Sequence, residues 1–297
     1  MTSTRKSGVP LTRILFATDF SEVSAKALPY AAAFARQFSA ELCVVHVPGS
    51  DEAANGADAV QLRRDAEART HRLLEAAHYR AVEPQIVIAE GEILPALASV
   101  AEERGSDLLV LGMHGRHGIS RALLGSVAGE VLRLAEIPVL VVGPEVTVPP
   151  EGEMTLRRVL YAVDFSPDGG RALRYAAAMA SAEGARLLVL HVVEDIWKEP
   201  ASTRLGREEY LRLRLLETGW QAAIDPLQPE LLIDFGPAED RIVQQAERHR
   251  VGLIVLDVPT SNHPVLSSHL PGPIAYNVAS HARCPVLAVR GSLHPAA

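Results

Sequence analysis

The sequence is poor in the residue types on which several classes of protein depend. Aromatic residues make up 5% of its 297 positions, which argues against a surface that stacks single-stranded bases. The 29 basic residues are outnumbered by 36 acidic ones, and the net charge of -7 disfavours a general nucleic-acid-binding surface. No apolar run reaches the roughly 18 residues of a membrane span, so we expect no membrane association.

Cysteine is also scarce. The chain has two cysteines, Cys43 and Cys284, and each lies in an apolar segment of a different half. This arrangement predicts two buried free thiols and no disulfide framework. The first twenty residues lack the apolar core of a secretory signal, which together with reduced cysteines predicts a cytoplasmic protein.

An internal repeat spans nearly the whole sequence. Residues 13–21 (RILFATDFS) and 158–166 (RVLYAVDFS) are identical at six of nine positions, at an offset of 145. Near the ends of the halves the offset is 147, where residues 138–140 match residues 285–287. The second half has therefore gained two residues, which we place before its last helix. A repeat of this length predicts a duplicated domain, since solenoid repeats are much shorter.

Each half alternates strand and helix patterns. In the first half the predicted strands are 13–18, 41–47, 84–89, 107–112 and 138–142, and the predicted helices are 22–38, 60–80, 92–104 and 125–135. The strands are apolar at nearly every position, as in a parallel sheet covered on both faces. The pattern predicts two tandem α/β domains, each a doubly wound parallel sheet of five strands. We assign residues 1–143 and 156–297 to the domains, and 144–155, with three prolines, to an exposed semi-rigid linker.

One loop of the first half has the composition of an anion site. Its spacing is Gly-x2-Gly-x9-Gly-Ser, at Gly112, Gly115, Gly125 and Ser126. Glycines allow a ligand close to the backbone, and the helix start after the loop favours an anion. Arg116 and Arg121 add positive charge. The loop therefore indicates a phosphate site, with a tight turn that binds nothing as the alternative.

These features together resemble the universal stress protein family, with two such domains in one chain. The resemblance rests on an aspartate after the first strand of each half (Asp19, Asp164), a His-Val pair in the second strand, the glycine loop and a final Pro-Val-Leu strand. The spacing of the first loop matches the ATP-binding subclass. The resemblance implies an adenine-nucleotide alpha-hydrolase-like fold, halves paired through their last strands, and a further assembly as a homodimer.

The resemblance also implies an ATP site in the first half, with or without Mg²⁺. The implied residues are Asp19, Val47, Gly112, Met113, Gly115, Arg116, Gly125, Ser126 and Val127. Asp19 and Val47 would flank the adenine and ribose, and the loop backbone would meet the ribose and phosphates. The Ser126 hydroxyl would reach a phosphate or Mg²⁺. The residues themselves leave two simpler roles open, helix capping for Asp19 and core packing for Val47.

The second half departs from this pattern. Asp257 replaces Gly112, Thr260 replaces Gly115, and Pro273 replaces Ser126. Proline is acceptable as a first helical residue, so the helix is expected to persist. A carboxylate at 257 would repel phosphates. We therefore expect the second domain to bind no triphosphate and to serve a structural or partner-docking role.

Two segments read as surface helices with an apolar inner face. In residues 58–78 we place Arg63, Arg64, Glu67 and Arg69 on the solvated side. In residues 204–220 we expect four leucines to face inward, namely Leu205, Leu211, Leu215 and Leu216.

The predicted function is that of an ATP-binding stress-response module that signals or regulates through nucleotide occupancy. Nothing in the loop supplies a general base for attack on the γ-phosphate, so we expect at most a weak ATPase. Two alternatives remain open at this stage: a slow nucleotide hydrolase or nucleotidyl transferase, and an interaction module that carries no nucleotide.

Overall fold

The computed structural model describes most of the chain. The described residues are Val9, 11–49, 59–76, 84–113, 127–148, 156–166, 169–194, 206–258 and 273–291. The chain divides into two compact units, one formed by Leu11–Met154 and the other mainly by Thr155–Ala297. Each unit contains its own parallel sheet flanked by helices, as the duplicated sequence predicts.

The first domain alternates strands and helices throughout. Its elements are β1 (Arg13–Ala17), α1 (Glu22–Phe38), β2 (Glu41–His46), α2 (Ala59–Ala76), β3 (Gln85–Ile88), α3 (Ile93–Glu103), β4 (Leu108–Gly112), α4 (Val127–Leu134) and β5 (Val139–Val142). The strands pair in parallel in the order β3-β2-β1-β4-β5. Within the described residues the predicted strands and helices are confirmed, with small differences at their ends, and residues 77–80 and 125–126 of the predicted helices lie outside the described residues.

The second domain repeats this order. Its elements are β6 (Arg158–Val163), α5 (Gly170–Glu183), β7 (Arg186–Val193), α6 (Arg207–Glu217), α7 (Gln221–Ile224), a 3₁₀ turn (Asp225–Leu227), β8 (Glu230–Phe235), α8 (Ala238–Arg248), β9 (Leu253–Val258), α9 (Pro273–His281) and β10 (Val286–Arg290). The parallel order is β8-β7-β6-β9-β10. Pro273 begins α9, which confirms that proline is tolerated there. The pairing of the two halves through their last strands stays a prediction.

The strand registers fix how the two halves align. Ala17 lies opposite Leu111 in the first domain, and Ala162 lies opposite Leu256 in the second. Gly112 and Asp257 therefore occupy the same position. Leu109 pairs with Val139, whereas the equivalent Ile254 pairs with Val286, so the two extra residues lie between β9 and β10, as predicted.

The segment after β5 packs more closely than an exposed linker would. Val146 is 1% exposed. The carbonyl of Pro144 accepts a hydrogen bond from Lys26 Nζ at 2.9 Å, and that of Thr147 accepts one from the Tyr30 hydroxyl at 3.3 Å. Both donors belong to α1. The described start of the predicted linker thus runs along α1 with Val146 buried, whereas Glu145 and Thr147 are exposed, and the linker as a whole stays a prediction.

Both cysteines are free and buried, as predicted. Among the described residues, none of the helices has both the length and the hydropathy needed to cross a bilayer.

We expect alkylating reagents to modify Cys43 well before Cys284 in the native protein. Burial raises the pKa of Cys284 to about 12, which suppresses its thiolate, the reactive form. Burial also raises the pKa of Cys43, but the Arg104 guanidinium opposes that effect, and Cys43 lines a cavity. Timed labelling with iodoacetamide, followed by peptide mass spectrometry, measures the two rates. Equal rates would contradict this expectation.

Candidate functional site

Three of the predicted site residues meet at the carboxyl edge of the first sheet. Asp19 follows β1, Val47 follows β2, and Gly112 ends β4. Since β2, β1 and β4 are neighbours in the sheet, these positions converge, as expected for a ligand crevice of an open α/β fold. Four predicted residues, Gly115, Arg116, Gly125 and Ser126, lie outside the described residues.

Asp19 closes a tight turn before α1. Its Oδ1 accepts a hydrogen bond from the Ser21 amide at 3.0 Å. The cap of α1 is Ser21, whose hydroxyl accepts from the Ser24 amide at 3.1 Å, so Asp19 is not itself the helix cap. Asp164 makes the same turn with the Ser166 amide at 2.8 Å. Because the turn recurs in a domain without the glycine loop, the local fold alone accounts for it.

A stack of side chains lies directly beside Asp19. Phe20 adopts a left-handed conformation, with φ of 60°, and its amide donates to Thr18 Oγ1 at 3.0 Å. The Arg69 guanidinium lies 4.1 Å from the centre of the Phe20 ring, a cation–π distance. The His46 ring lies 4.5 Å away from the Phe20 ring, with its Nδ1 2.7 Å from the Thr18 carbonyl. The placement of Arg69 on a purely solvated face is therefore wrong.

The second domain contains the same stack at the same offset. Phe165 has a φ of 57°, the Arg214 guanidinium lies 4.6 Å from its ring centre, and the His191 ring lies 5.0 Å from it. The recurrence of Arg69 as Arg214 is the one sequence signal that would have revealed this contact. The stack belongs to both domains, so it shapes the edge in each of them.

Val47 differs from the strand that precedes it. The residues of β2 from Leu42 to His46 are buried, whereas Val47 is partly exposed at the edge of the sheet. Val47 is therefore not fully buried in the core, and its role at the site stays a prediction. Met113 is the opposite case: it is 1% exposed, and its amide donates to the Val142 carbonyl at 2.9 Å. The Met113 amide is therefore occupied by a hydrogen bond within the sheet.

Gly112 is required by packing as well as by the loop. A Cβ on this residue would lie 2.7 Å from the Ser24 amide nitrogen and 2.8 Å from the Val23 carbonyl carbon. Both atoms are backbone atoms of α1. The end of β4 therefore approaches the first turn of α1 so closely that only glycine fits.

The second domain solves the same contact differently. Asp257 Oδ2 lies 2.7 Å from the hydroxyl of Tyr161, which also lies 3.1 Å from the Gly169 carbonyl. A Cβ on Gly169 would be 3.1 Å from Asp257 Oδ2. The glycine has moved from the strand to the helix start, and Tyr161, the counterpart of Phe16, supplies a hydrogen bond to the carboxylate.

Trp220 covers this edge of the second domain. Its ring is stacked on Phe165, with centroids 6.3 Å apart and planes 14° apart. The indole also reaches the start of α5, since its Cη2 would be 2.7 Å from a Cβ on Gly169 and its Nε1 3.1 Å from one on Gly170. An indole and a carboxylate thus occupy the region that corresponds to the predicted nucleotide edge of the first domain.

Comparison with known proteins identifies the family. The universal stress protein family matches twice, at residues 10–143 and 155–290, so the chain belongs to this family and carries two of its domains. Universal stress protein Rv1996 of Mycobacterium tuberculosis is 26% identical over 249 residues, which cover 77% of this chain and 75% of that protein.

Solved structures agree with the fold. A universal stress protein from Archaeoglobus fulgidus aligns with a TM-score of 0.68 at 21% identity, over 95% of this chain and 97% of that one. Another universal stress protein, solved in complex with cAMP, covers 45% of this chain and 97% of its own at 26% identity and a TM-score of 0.38.

Proposed function

We propose that the first domain binds ATP at the carboxyl edge of its sheet and that occupancy of this site is the regulatory signal of a stress-response protein. The observation that carries the proposal is the convergence of Asp19 and Val47, the latter partly exposed, with Gly112 at the end of β4. Val47 offers an apolar wall for a base, and Asp19 a carboxylate acceptor for an amino or hydroxyl group.

The start of α4 supports the placement of the phosphates. Val127 is the first residue of this eight-residue helix and is 39% exposed. The first amides of a helix lack partners within it, and with the helix dipole they favour an anion. The loop glycines with Ser126 would bring phosphates to this terminus, and Arg116 would add a fixed cation.

Mg²⁺ would arrive with the nucleotide. Within the described parts of the chain, no three His, Cys, Asp or Glu side chains are grouped closely enough to hold a metal ion. The ion would then be held by the phosphates, with Ser126 as the candidate protein ligand. Because the described residues offer no such metal cluster, we propose that occupancy matters more than turnover.

The second domain is proposed to bind no triphosphate. Asp257 would face the phosphates with a like charge, and Trp220 covers the edge where the base would lie. Its role is then structural or that of a docking domain.

Calorimetric titration of the full chain, freed of nucleotide, with MgATP tests the proposal. We expect about one ATP per chain. Asp19→Asn should weaken binding about tenfold, or ~1.4 kcal/mol, because Asn keeps the acceptor for the Ser21 amide but loses the charge. Asp164→Asn is the matched control, since it changes the equivalent turn of the second domain.

The control decides between the two domains. Unchanged affinity in Asp164→Asn, with loss in Asp19→Asn, places the ATP in the first domain. Two ATP molecules per chain, equal losses in both variants, or no binding by the wild-type chain would each overturn the proposal.

A further inference from the structure

The amino edge of the first-domain sheet, opposite to the edge proposed for ATP, carries a cavity of about 220 Å³. It lies among the beginnings of β1, β2 and β3 and the end of α3. The polar residues that line it include Arg13, Glu41, Cys43, Gln85, Arg104 and Ser106. Pockets for drug-sized ligands measure ~300–1,000 Å³, so this cavity suits a molecule smaller than a nucleotide.

Two hydrogen-bond donors in this cavity, on Ser106 and Arg13, have no partner among the described residues. Ser106 is 7% exposed, and its Oγ is buried without a hydrogen bond to any described residue. Buried polar side chains are normally paired, so such a group calls for an explanation. Arg13 is exposed at the mouth of the cavity, and its side chain makes no hydrogen bond or ion pair within the described residues, although its backbone binds Asp107. The Arg104 guanidinium donates to Gln85 Oε1.

The charges around the cavity limit the net charge of the ligand that it can bind. Arg13 and Arg104 are balanced by Glu41 and Glu103, so a multiply charged anion would gain little. Leu42 and Cys43 supply an uncharged part of the lining, because burial raises the pKa of the Cys43 thiol, with Arg104 opposing. A guanidinium fork matches the geometry of a carboxylate.

In the second domain the corresponding polar side chains have partners. Arg158, the counterpart of Arg13, donates to the His249 carbonyl at 3.0 Å. Glu230 lies 3.9 Å from Arg186 and 3.8 Å from His249.

Two polar or thiol side chains of the cavity are replaced by apolar ones in the second domain. Leu188 stands in place of Cys43 and Val251 in place of Ser106, and both are buried. The fold itself therefore does not require unpartnered donors at this edge.

We propose that this cavity binds a small monocarboxylate with a short apolar chain. The Arg13 and Arg104 guanidinium groups and the Ser106 hydroxyl donate to the carboxylate, and the chain lies towards Leu42 and Cys43. The site is separate from the proposed ATP site, and its existence does not depend on nucleotide binding.

Protection of Cys43 from alkylation tests the proposal in the full chain. Butyrate is the probe, butyramide is its uncharged analogue, and potassium chloride matches the ionic strength. We expect millimolar butyrate to slow iodoacetamide labelling of Cys43 at least fivefold, whereas butyramide and chloride leave the rate unchanged. Cys284 serves as the internal reference, because it is buried in the other domain.

Variants locate the carboxylate. Arg13→Gln removes an exposed guanidinium that has no partner among the described residues, so the protein should fold and the protection by butyrate should disappear. Ser106→Ala should reduce the protection of Cys43 by butyrate. Arg158→Gln, the matched change in the second domain, should retain it in full.

Three results would overturn the proposal. These are equal protection by butyramide, full protection in Arg13→Gln, and protection that requires near-molar butyrate. In each variant the labelling rate is compared with and without butyrate, so a change in the intrinsic reactivity of Cys43 cancels. None of these results bears on the titration with MgATP.

Discussion

Gly112→Ala is expected to destabilise the first domain by about 2–3 kcal/mol, at the upper end of the usual cost of overpacking. The added methyl group would lie 2.7 Å from the Ser24 amide nitrogen and 2.8 Å from the Ser24 Cα. These are backbone atoms in the first turn of α1, so they cannot rotate away as a side chain would. Either β4 or α1 must move, and both border the proposed ATP site.

Hydrogen exchange followed by mass spectrometry measures this effect on β1 and β4 separately from the second domain. Gly49→Ala is the control in the same domain, because no atom lies within 4 Å of its added Cβ. We expect faster amide exchange in β1 and β4 of Gly112→Ala than in the wild type, and no such change in Gly49→Ala. Wild-type protection of β4 in Gly112→Ala would show that the close approach to α1 is wrong.

Tyr161→Phe is expected to cost about 1.5–3 kcal/mol of stability at pH 7, the range for a hydrogen bond to a charged group. The Tyr161 hydroxyl lies 2.7 Å from Asp257 Oδ2, and Tyr161 is 0% exposed. The aromatic packing itself should survive, because Phe16 fills the equivalent position of the first domain with a buried phenyl ring. The loss would then report the hydrogen bond and not a cavity.

The same variant should change the alkaline limb of the stability curve. Burial raises the pKa of Tyr161 well above its usual value of 10.0, and the charge and hydrogen bond of Asp257 add to this rise. A raised pKa in the folded state means that the tyrosine contributes its full stability below pH 10. This contribution falls as pH rises from there towards the folded-state pKa.

Denaturant unfolding of wild type and Tyr161→Phe, at pH 7 and at steps above pH 10, separates this effect from the other tyrosines, which both proteins share. The gap between the two proteins should narrow as the pH rises. Parallel curves, or equal stability at pH 7, would contradict the role assigned to this hydroxyl.

The architecture was predictable because burial on both faces of a parallel sheet requires continuous apolar runs. The run at 107–112 became β4, Leu108–Gly112, and the pattern at 22–38 became α1 with the same bounds. The repeat carried this prediction into the second domain, where the strand registers agree with the offset of 145. The apolar runs of the strands and the periodicity of the helices thus predicted the order and approximate length of these elements.

Contacts that depend on a particular backbone conformation were not predictable. Arg69 reads as one more charge on a surface helix, and its contact with Phe20 exists because Phe20 has a φ of 60°.

Leu216 was expected to face inward but is 63% exposed. Leu211 and Leu215, four residues apart, already fill the inner face of α6, and Leu216 lies a further 100° around the helix axis.

The candidate site was predictable in part. Asp19 and Val47 could be placed at one edge because parallel neighbouring strands end together. The packing requirement for glycine at position 112 could not be predicted, because the sequence does not show that α1 passes within contact distance of β4. The roles of Gly115, Arg116, Gly125 and Ser126 stay predictions, because these residues lie outside the described part of the chain.

The position of Trp220 has a consequence for spectroscopy. The chain has two tryptophans, Trp197 and Trp220, and both belong to the second half. Indole fluorescence therefore originates in the second half of the chain. Trp220 stacks on Phe165 at the edge proposed to bind no ATP, so a change in its emission on addition of ATP would report communication between the halves.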